Sequence, residues 1–426
     1  MPIDEDIKYN LKQTNISDVL CYYNKFIKSN MKYVLVQLNI KNFRYFHIKY
    51  SYQSCQEILS LILELLSSTI KEDEYAAYLY SDNFVMLLQY EELDDLLYQR
   101  ITKLVDELYR IDDKRVYRCL FVSMGIYQMD DKSIRFEDAM NYANLARRES
   151  DSIKERNHSV EVYNEDFYNQ YMGRLELEMK TADAYKNYEF IAYLQPKIDL
   201  ATESIVGAEA LLRWIDHDGN SIPLYAFLPI LNQNGYIELV DLDVFDQICE
   251  KLDQRIKDNK KVVPVSFNIS KSSFYSEDIL KEYIEVFEKY NIPKHLIEIE
   301  FMESISLDDT ERMKEVVSGF KEYGFSCSLD DFGNGYSSFN VLLNAPFDII
   351  KMDRQFFLDN LKGDNQLVIK TVVDLIHSLG MRIVAEGVEL KEHIDYLKTC
   401  KCDYVQGYYY YRPMPICDFN DLLDKE

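Results

Sequence analysis

The chain has 426 residues, more than one ordinary domain holds, so two domains are the starting expectation. Its apolar fraction of 47% is ample for packed cores. A formal net charge of -25 sets the surface against DNA, RNA polymers and anionic membranes, while a small anionic substrate stays admissible if cations mediate its binding.

Met1 is followed by the charged stretch Pro2-Ile3-Asp4-Glu5-Asp6 rather than a leader sequence, and no apolar run approaches the roughly 20 residues that span a bilayer. The reading is a soluble, cytoplasmic chain without membrane insertion. Residues 1–30 read as a helical lead-in, with Asn15-Ile16-Ser17-Asp18 supplying capping residues. Tyr33 to Leu38 reads as a strand, Ser54 to Thr69 as a helix, and Ala76 to Gln89 as two strands around a tight turn at Ser81-Asp82-Asn83. A helix over Leu93 to Tyr109, a strand over Leu120 to Tyr127 and a helix over Phe136 to Arg148 follow. This mixed order predicts an α+β domain with an antiparallel sheet over residues 31–165. Residues 166–190, including Leu175-Glu176-Leu177-Glu178-Met179, read as a connecting helix.

From residue 191 to 426 apolar runs recur, and each ends on a polar residue able to do chemistry. Ile191 to Leu194 ends at Gln195, Ile205 to Ala208 at Glu209, Val262 to Phe267 at Asn268, and Leu296 to Ile299 at Glu300. Phe325 to Leu329 ends at Asp330 and Asp331, Phe347 to Ile350 at Lys351, Arg382 to Ala385 at Glu386, and Tyr404-Val405 at Gln406. Eight such strands separated by helical stretches predict a TIM-like (β/α)8 barrel, whose functional groups gather at the C-terminal strand ends. Any one of these residues alone reads as a strand-end cap; eight in register do not.

If the strand ends converge, Glu209, Glu300, Asp330, Asp331 and Glu386 share one small volume beside Asn268. Crowded carboxylates need protons or cations. The eight cysteines (Cys21, Cys55, Cys119, Cys249, Cys327, Cys400, Cys402, Cys417) form no CxxC pair and read as free buried thiols; the six His are dispersed. The ligands are therefore oxygens, which suit Mg²⁺ or Mn²⁺ better than zinc. Two such ions about 3.5–4 Å apart form a clamp for displacement at phosphorus. Lys351 among the acids could orient or help deprotonate an attacking water, or neutralise developing charge; a salt bridge to Asp353 is its ordinary alternative. Arg213, four residues past Glu209, could grip a phosphate oxygen or make a structural ion pair. The segment Asp330-Asp331-Phe332-Gly333-Asn334-Gly335-Tyr336-Ser337-Ser338 reads either as a loop that orders over the site or as an ordinary glycine-containing turn.

These residues resemble the EAL family of cyclic di-GMP phosphodiesterases. The resemblance is carried by Glu209-Ala210-Leu211 through Arg213-Trp214, Asn268-Ile269-Ser270, Glu300 to Ser304, Asp330-Asp331-Phe332-Gly333, Lys351-Met352-Asp353, Ala385-Glu386-Gly387-Val388-Glu389 and Gln406-Gly407-Tyr408. It implies hydrolysis of cyclic di-GMP to linear pGpG with two Mg²⁺ or Mn²⁺ ions. It implies Glu209, Asn268, Glu300, Asp330, Asp331, Asp353 and Glu386 as the metal site, and Lys351 with Glu209 and Glu386 as catalytic groups. It further implies Glu303 as the anchor of the loop after Asp331, Glu389 and Gln406 as outer or water-positioning groups, and Gln195, Arg213 and Gln406 as substrate contacts. Met302 stands where the family usually has Thr and removes no expected ligand. A homodimer through the EAL domain is also implied.

Residues 31–165 resemble a GGDEF, nucleotidyl-cyclase-like domain with a degraded signature, Tyr80-Ser81-Asp82-Asn83-Phe84. Tyr80 and Ser81 replace glycines, and Asn39 and Asn83 replace metal carboxylates, so the expected role is regulation or dimerisation rather than synthesis. The alternative to an active enzyme is a silent cyclic di-GMP receptor or scaffold; the complete set of acids argues against it.

Overall fold

The computed structural model describes residues 16–27, 31–111, 113–116, 120–131, 133–152, 159–303, 309–333, 342, 345–357 and 363–426. The chain divides into two compact units, Met1–Leu175 and Glu176–Glu426. The division falls within a helix, Glu165–Lys186, that ends four residues short of the expected connecting helix.

In the first unit, five strands form one sheet: β1 (Tyr33–Ile40), β2 (Tyr75–Tyr80), β3 (Asn83–Gln89), β4 (Val122–Gln128) and β5 (Ser159–Val162), ordered β2-β3-β1-β4-β5. The central strand β1 is almost wholly apolar because it is covered on both faces. The helix Tyr52–Ser68 starts where the Ser51 hydroxyl accepts from the Ser54 amide and buries Cys55, Ile58, Leu59, Ile62 and Leu66 at helical spacing. β1 runs antiparallel to β3 and β4, but β5 joins β4 in parallel. The sequence reading missed β5, which is only four residues long. The expected helix over 93–109 is one run with a wider π-type turn at Leu96–Ile101.

The second unit is a closed barrel. β6 (Phe190–Asp199) and β7 (Ile205–Ile215) form a hairpin, and β8 (Ser221–Ile222) pairs antiparallel with the end of β7. β9 (Val265–Asn268), β10 (Ile297–Met302), β11 (Ser326–Phe332), β12 (Ile349–Met352), β13 (Arg382–Ala385) and β14 (Tyr404–Val405) follow, and β15 (Met414–Pro415) pairs with β6 outside the ring. β7 and β9 to β14 are mutually parallel; β6 pairs antiparallel with both β7 and β14 and closes the ring.

The first strand thus departs from an all-parallel (β/α)8 pattern, and the cause is the connection. Only 200–204 separate β6 from β7, and so short a link permits only an antiparallel pair. In consequence Gln195 and Glu209 are not strand-end residues: they face each other in mid-hairpin register. The barrel wall and its helices form one continuous apolar cluster around Phe245, Phe301, Phe320 and Phe325. Five described cysteines are buried, whereas Cys21 and Cys417 are exposed; Cys119 lies outside the described residues. Among the described residues no helix is long and apolar enough to cross a membrane.

Candidate active site

The barrel's parallel strands deliver their polar ends to one mouth, and Lys351 stands at the centre of it. Its Nζ lies 2.6 Å from Glu300 Oε2, 2.7 Å from Glu386 Oε1, 3.3 Å from Asp330 Oδ1 and 3.4 Å from Glu209 Oε2. The side chain is 1% exposed. Burial works against its charge, but Asp330, Glu209, Glu300 and Glu386 outweigh burial and hold the ammonium well above its ordinary pKa. Burial and the neighbouring Glu300 push the Glu209 carboxyl up, and burial does the same to Glu386. Glu300 goes the other way: burial would raise it, yet the ammonium groups of Lys351 and Lys197 bring it down.

Glu209 is fixed through both oxygens. Asn268 Nδ2 donates to Oε1 at 2.8 Å, and Gln406 Nε2 donates to Oε2 at 2.5 Å. Gln406 Nε2 also donates to Gln195 Oε1 at 3.0 Å, and Gln195 Nε2 donates to the Tyr411 carbonyl at 3.0 Å. In this arrangement Gln406 orients Glu209 and Gln195 braces Gln406, while Gln406 Oε1 takes no hydrogen bond among the described residues. Gly407 is essential to that turn, because a Cβ there would lie 2.2 Å from the Val388 carbonyl oxygen and 2.4 Å from the Val388 nitrogen.

Adjacent strand residues normally face opposite sides of a sheet. At Asp330 and Asp331 the β11–β12 register is broken between Leu329 and Phe332, and Asp331 adopts a left-handed φ of 58°. Asp331 consequently lies within electrostatic reach of Asp330, Asp353 and Lys351, and burial together with those two carboxylates pushes it up to about 6. Glu303 Oε2 accepts from the Gly333 amide at 3.1 Å, so it ties down the start of the loop. The remainder of that loop, 334–338, lies outside the described residues.

Arg213 lies on the same face of β7 as Glu209; it donates to the Leu212 carbonyl at 2.7 Å and stacks over Tyr193. Glu389 is exposed and has no hydrogen bond or ion pair to the acids among the described residues. Met302 is 38% exposed at the end of β10.

Two buried charged residues escaped the sequence reading. Lys197 Nζ is 3.0 Å from Glu298 Oε1 and 3.0 Å from Glu300 Oε1. The two-residue alternation of strands could have found them, since Lys197 follows Gln195 by two and Glu298 precedes Glu300 by two.

The donor set fits hard divalent cations. Glu209, Glu300 and Asp330 each offer an oxygen, all within 4.8 Å of one another. Lys351 and Lys197 are two ammoniums against five carboxylates (Glu209, Glu298, Glu300, Asp330 and Glu386), and Glu386 Oε1 takes no hydrogen bond of good geometry although the Lys351 ammonium is 2.7 Å away. Excess buried negative charge and carbonyl or carboxylate oxygens are the conditions Mg²⁺ and Mn²⁺ meet.

In the first unit, Asn39 Nδ2 donates to Asn83 Oδ1 at 3.2 Å, and Asn83 Nδ2 donates to Asp82 Oδ1 at 3.1 Å. Ser81 adopts a left-handed φ of 56°, a conformation that glycine holds more easily.

A closed barrel whose mouth gathers acids around one buried lysine defines the class of the second unit. The chain belongs to the EAL domain family, whose model matches residues 179–413. The family model described as "Diguanylate cyclase, GGDEF domain" matches residues 22–157. Among curated proteins, the signaling protein YkoW of Bacillus subtilis is 26% identical over 92% of this chain and 49% of its own length. The cyclic di-GMP phosphodiesterase NbdA of Pseudomonas aeruginosa is 23% identical over 91% of this chain and 49% of its own. The chain thus spans about half the length of these relatives. Among solved structures, the PaMucR phosphodiesterase in complex with c-di-GMP is 26% identical, with a TM-score of 0.54 over 57% of this chain and 99% of that one.

Proposed function

We propose that the second unit hydrolyses cyclic di-GMP to linear pGpG, and that the first unit is a regulatory or dimerising module without cyclase activity. The observation that supports this most is the gathering of four carboxylates within 3.4 Å of the Lys351 ammonium. Glu209, Asn268, Glu300, Asp330, Asp331, Asp353 and Glu386 would hold Mg²⁺ or Mn²⁺. When bound, these ions supply an activated water and stabilise charge on the phosphoryl oxygens.

The chain's own residues do the rest. Gln406 and Asn268 fix Glu209, so the acid needs no reorganisation at the moment of reaction. Lys351 Nζ, in contact with these acids, would orient or help deprotonate the attacking water, or neutralise developing negative charge. Arg213, half-buried beside Tyr193, supplies a planar cation at the rim for a phosphate oxygen. Glu303 holds the Gly333 end of the loop after Asp331. Paired amides at Asn39 and Asn83, where ionised ligands would be needed, support a first unit that makes no cyclic di-GMP.

The test is incubation of purified protein with cyclic di-GMP and Mg²⁺ or Mn²⁺, beside Glu209→Ala. pGpG from wild type alone supports the assignment; none from wild type at any metal concentration defeats it. A homodimer through the barrel unit belongs to the same proposal, and light scattering that shows a monomer at every concentration would overturn that part.

A further inference from the structure

Beneath the acids lies a second buried ammonium with no place in the chemistry above. Lys197 follows Gln195 by two residues on β6, so it faces the barrel interior one layer deeper. It stands opposite Gly207 in the hairpin register, where a Cβ would lie 3.7 Å from the lysine stem. The side chain is 5% exposed, and its ammonium bridges Glu298 Oε1 and Glu300 Oε1 at 3.0 Å each.

Stability alone gives no reason for this group, because a buried ion pair replaced by apolar residues of similar volume is often neutral or stabilising. Its geometry does give one. The two oxygens of Glu300 take different ammonium groups: Oε1 meets Lys197, and Oε2 meets Lys351 at 2.6 Å. With Oε1 tied to Lys197, rotation of the carboxylate is restrained and Oε2 stays directed at Lys351, within the same acid cluster as Glu209 and Asp330. Outer partners of this kind set the orientation of a metal ligand.

We propose that Lys197 is a positioning residue that fixes Glu300 for divalent-cation binding. The inference rests on the metal site of the phosphodiesterase reading. Mn²⁺ is titrated calorimetrically into the full chain as wild type, E298Q and K197M/E298Q, and the metal-free proteins are melted in parallel. E298Q keeps Lys197 on Glu300 and is expected to bind Mn²⁺ within about twofold of wild type. K197M/E298Q removes both charges together; it is expected to bind about 10–100-fold more weakly while its metal-free melting stays close to that of E298Q. Should that pair fail to fold, K197M/E298L carries the same expectation with an apolar floor. Wild-type affinity in the double variant, or an equal loss in E298Q alone, overturns the role of Lys197 and leaves the metal site standing. Wild type that binds no Mn²⁺ overturns both.

Discussion

Lys351→Met removes the counter-charge at the centre of the mouth while keeping an unbranched stem. Four carboxylates within 3.4 Å then lose their ammonium partner at a position that is 1% exposed. Removing one partner of a buried ion pair costs about 3–5 kcal/mol. For a unit the size of this barrel that corresponds to a fall of roughly 6–20 °C in its melting transition. The assay is circular dichroism on wild type and variant, each with chelator and with Mn²⁺. With chelator the full gap is expected; with Mn²⁺ it narrows, because divalent cations replace the missing charge. Turnover of cyclic di-GMP is expected to fall by about 10²–10⁴ and not to recover with added metal, since the lysine Nζ itself is gone. A chelated variant that melts within about 2 °C of wild type would refute the reasoning, because the acids would then be accommodated without Lys351.

Gly407→Ala places a methyl group 2.2 Å from the Val388 carbonyl oxygen, so the turn carrying Gln406 must move; about a hundredfold loss of turnover is expected, and wild-type kinetics would show that Glu209 is not held through this turn. Glu303→Ala frees the Gly333 amide; it is expected to cost about 1–2 kcal/mol in urea melts and at least about tenfold in turnover, and unchanged turnover would remove Glu303 as an anchor. Burial raises Asp241 to about 6, above its unfolded value of about 3.9. The folded state therefore binds the extra proton between those values, and this group's contribution to stability declines as pH rises through that window. Asp241→Asn is expected to flatten the decline in urea melts from pH 4 to 6; identical slopes would refute the linkage.

Much of the site was legible because parallel strands bring the polar residues near their C-terminal ends to a shared mouth. Asn268, Glu300, Asp330, Lys351, Glu386 and Gln406 could each be read as the polar end of an apolar run. Gln195 and Glu209 were found by the same rule for a reason that does not hold: they lie in the middle of an antiparallel hairpin, and they meet because a five-residue link forces that pairing. Lys197 and Glu298 were overlooked because the expected runs took only their final polar residue as functional: Glu298 fell inside the run Leu296 to Ile299, and Lys197 lay beyond the run that ended at Gln195. The closeness of Asp331 to Asp330 depends on a register break and a left-handed residue, which no spacing in the sequence announces. β5 was missed because a four-residue strand after a long helix carries too little alternation to register.

The seam at which β6 meets β14 has a temporal meaning. Glu209 is oriented by an amide 197 positions further along the chain, and that amide is braced in turn by Gln195 across the closure. A nascent polypeptide can emerge with every acid of the site already made and still lack the amide that holds Glu209, because the ring shuts only when β14 docks on β6. Such distant pairings form slowly. A chain stopped before residue 406 would carry the acids of the mouth without the closure that orients Glu209.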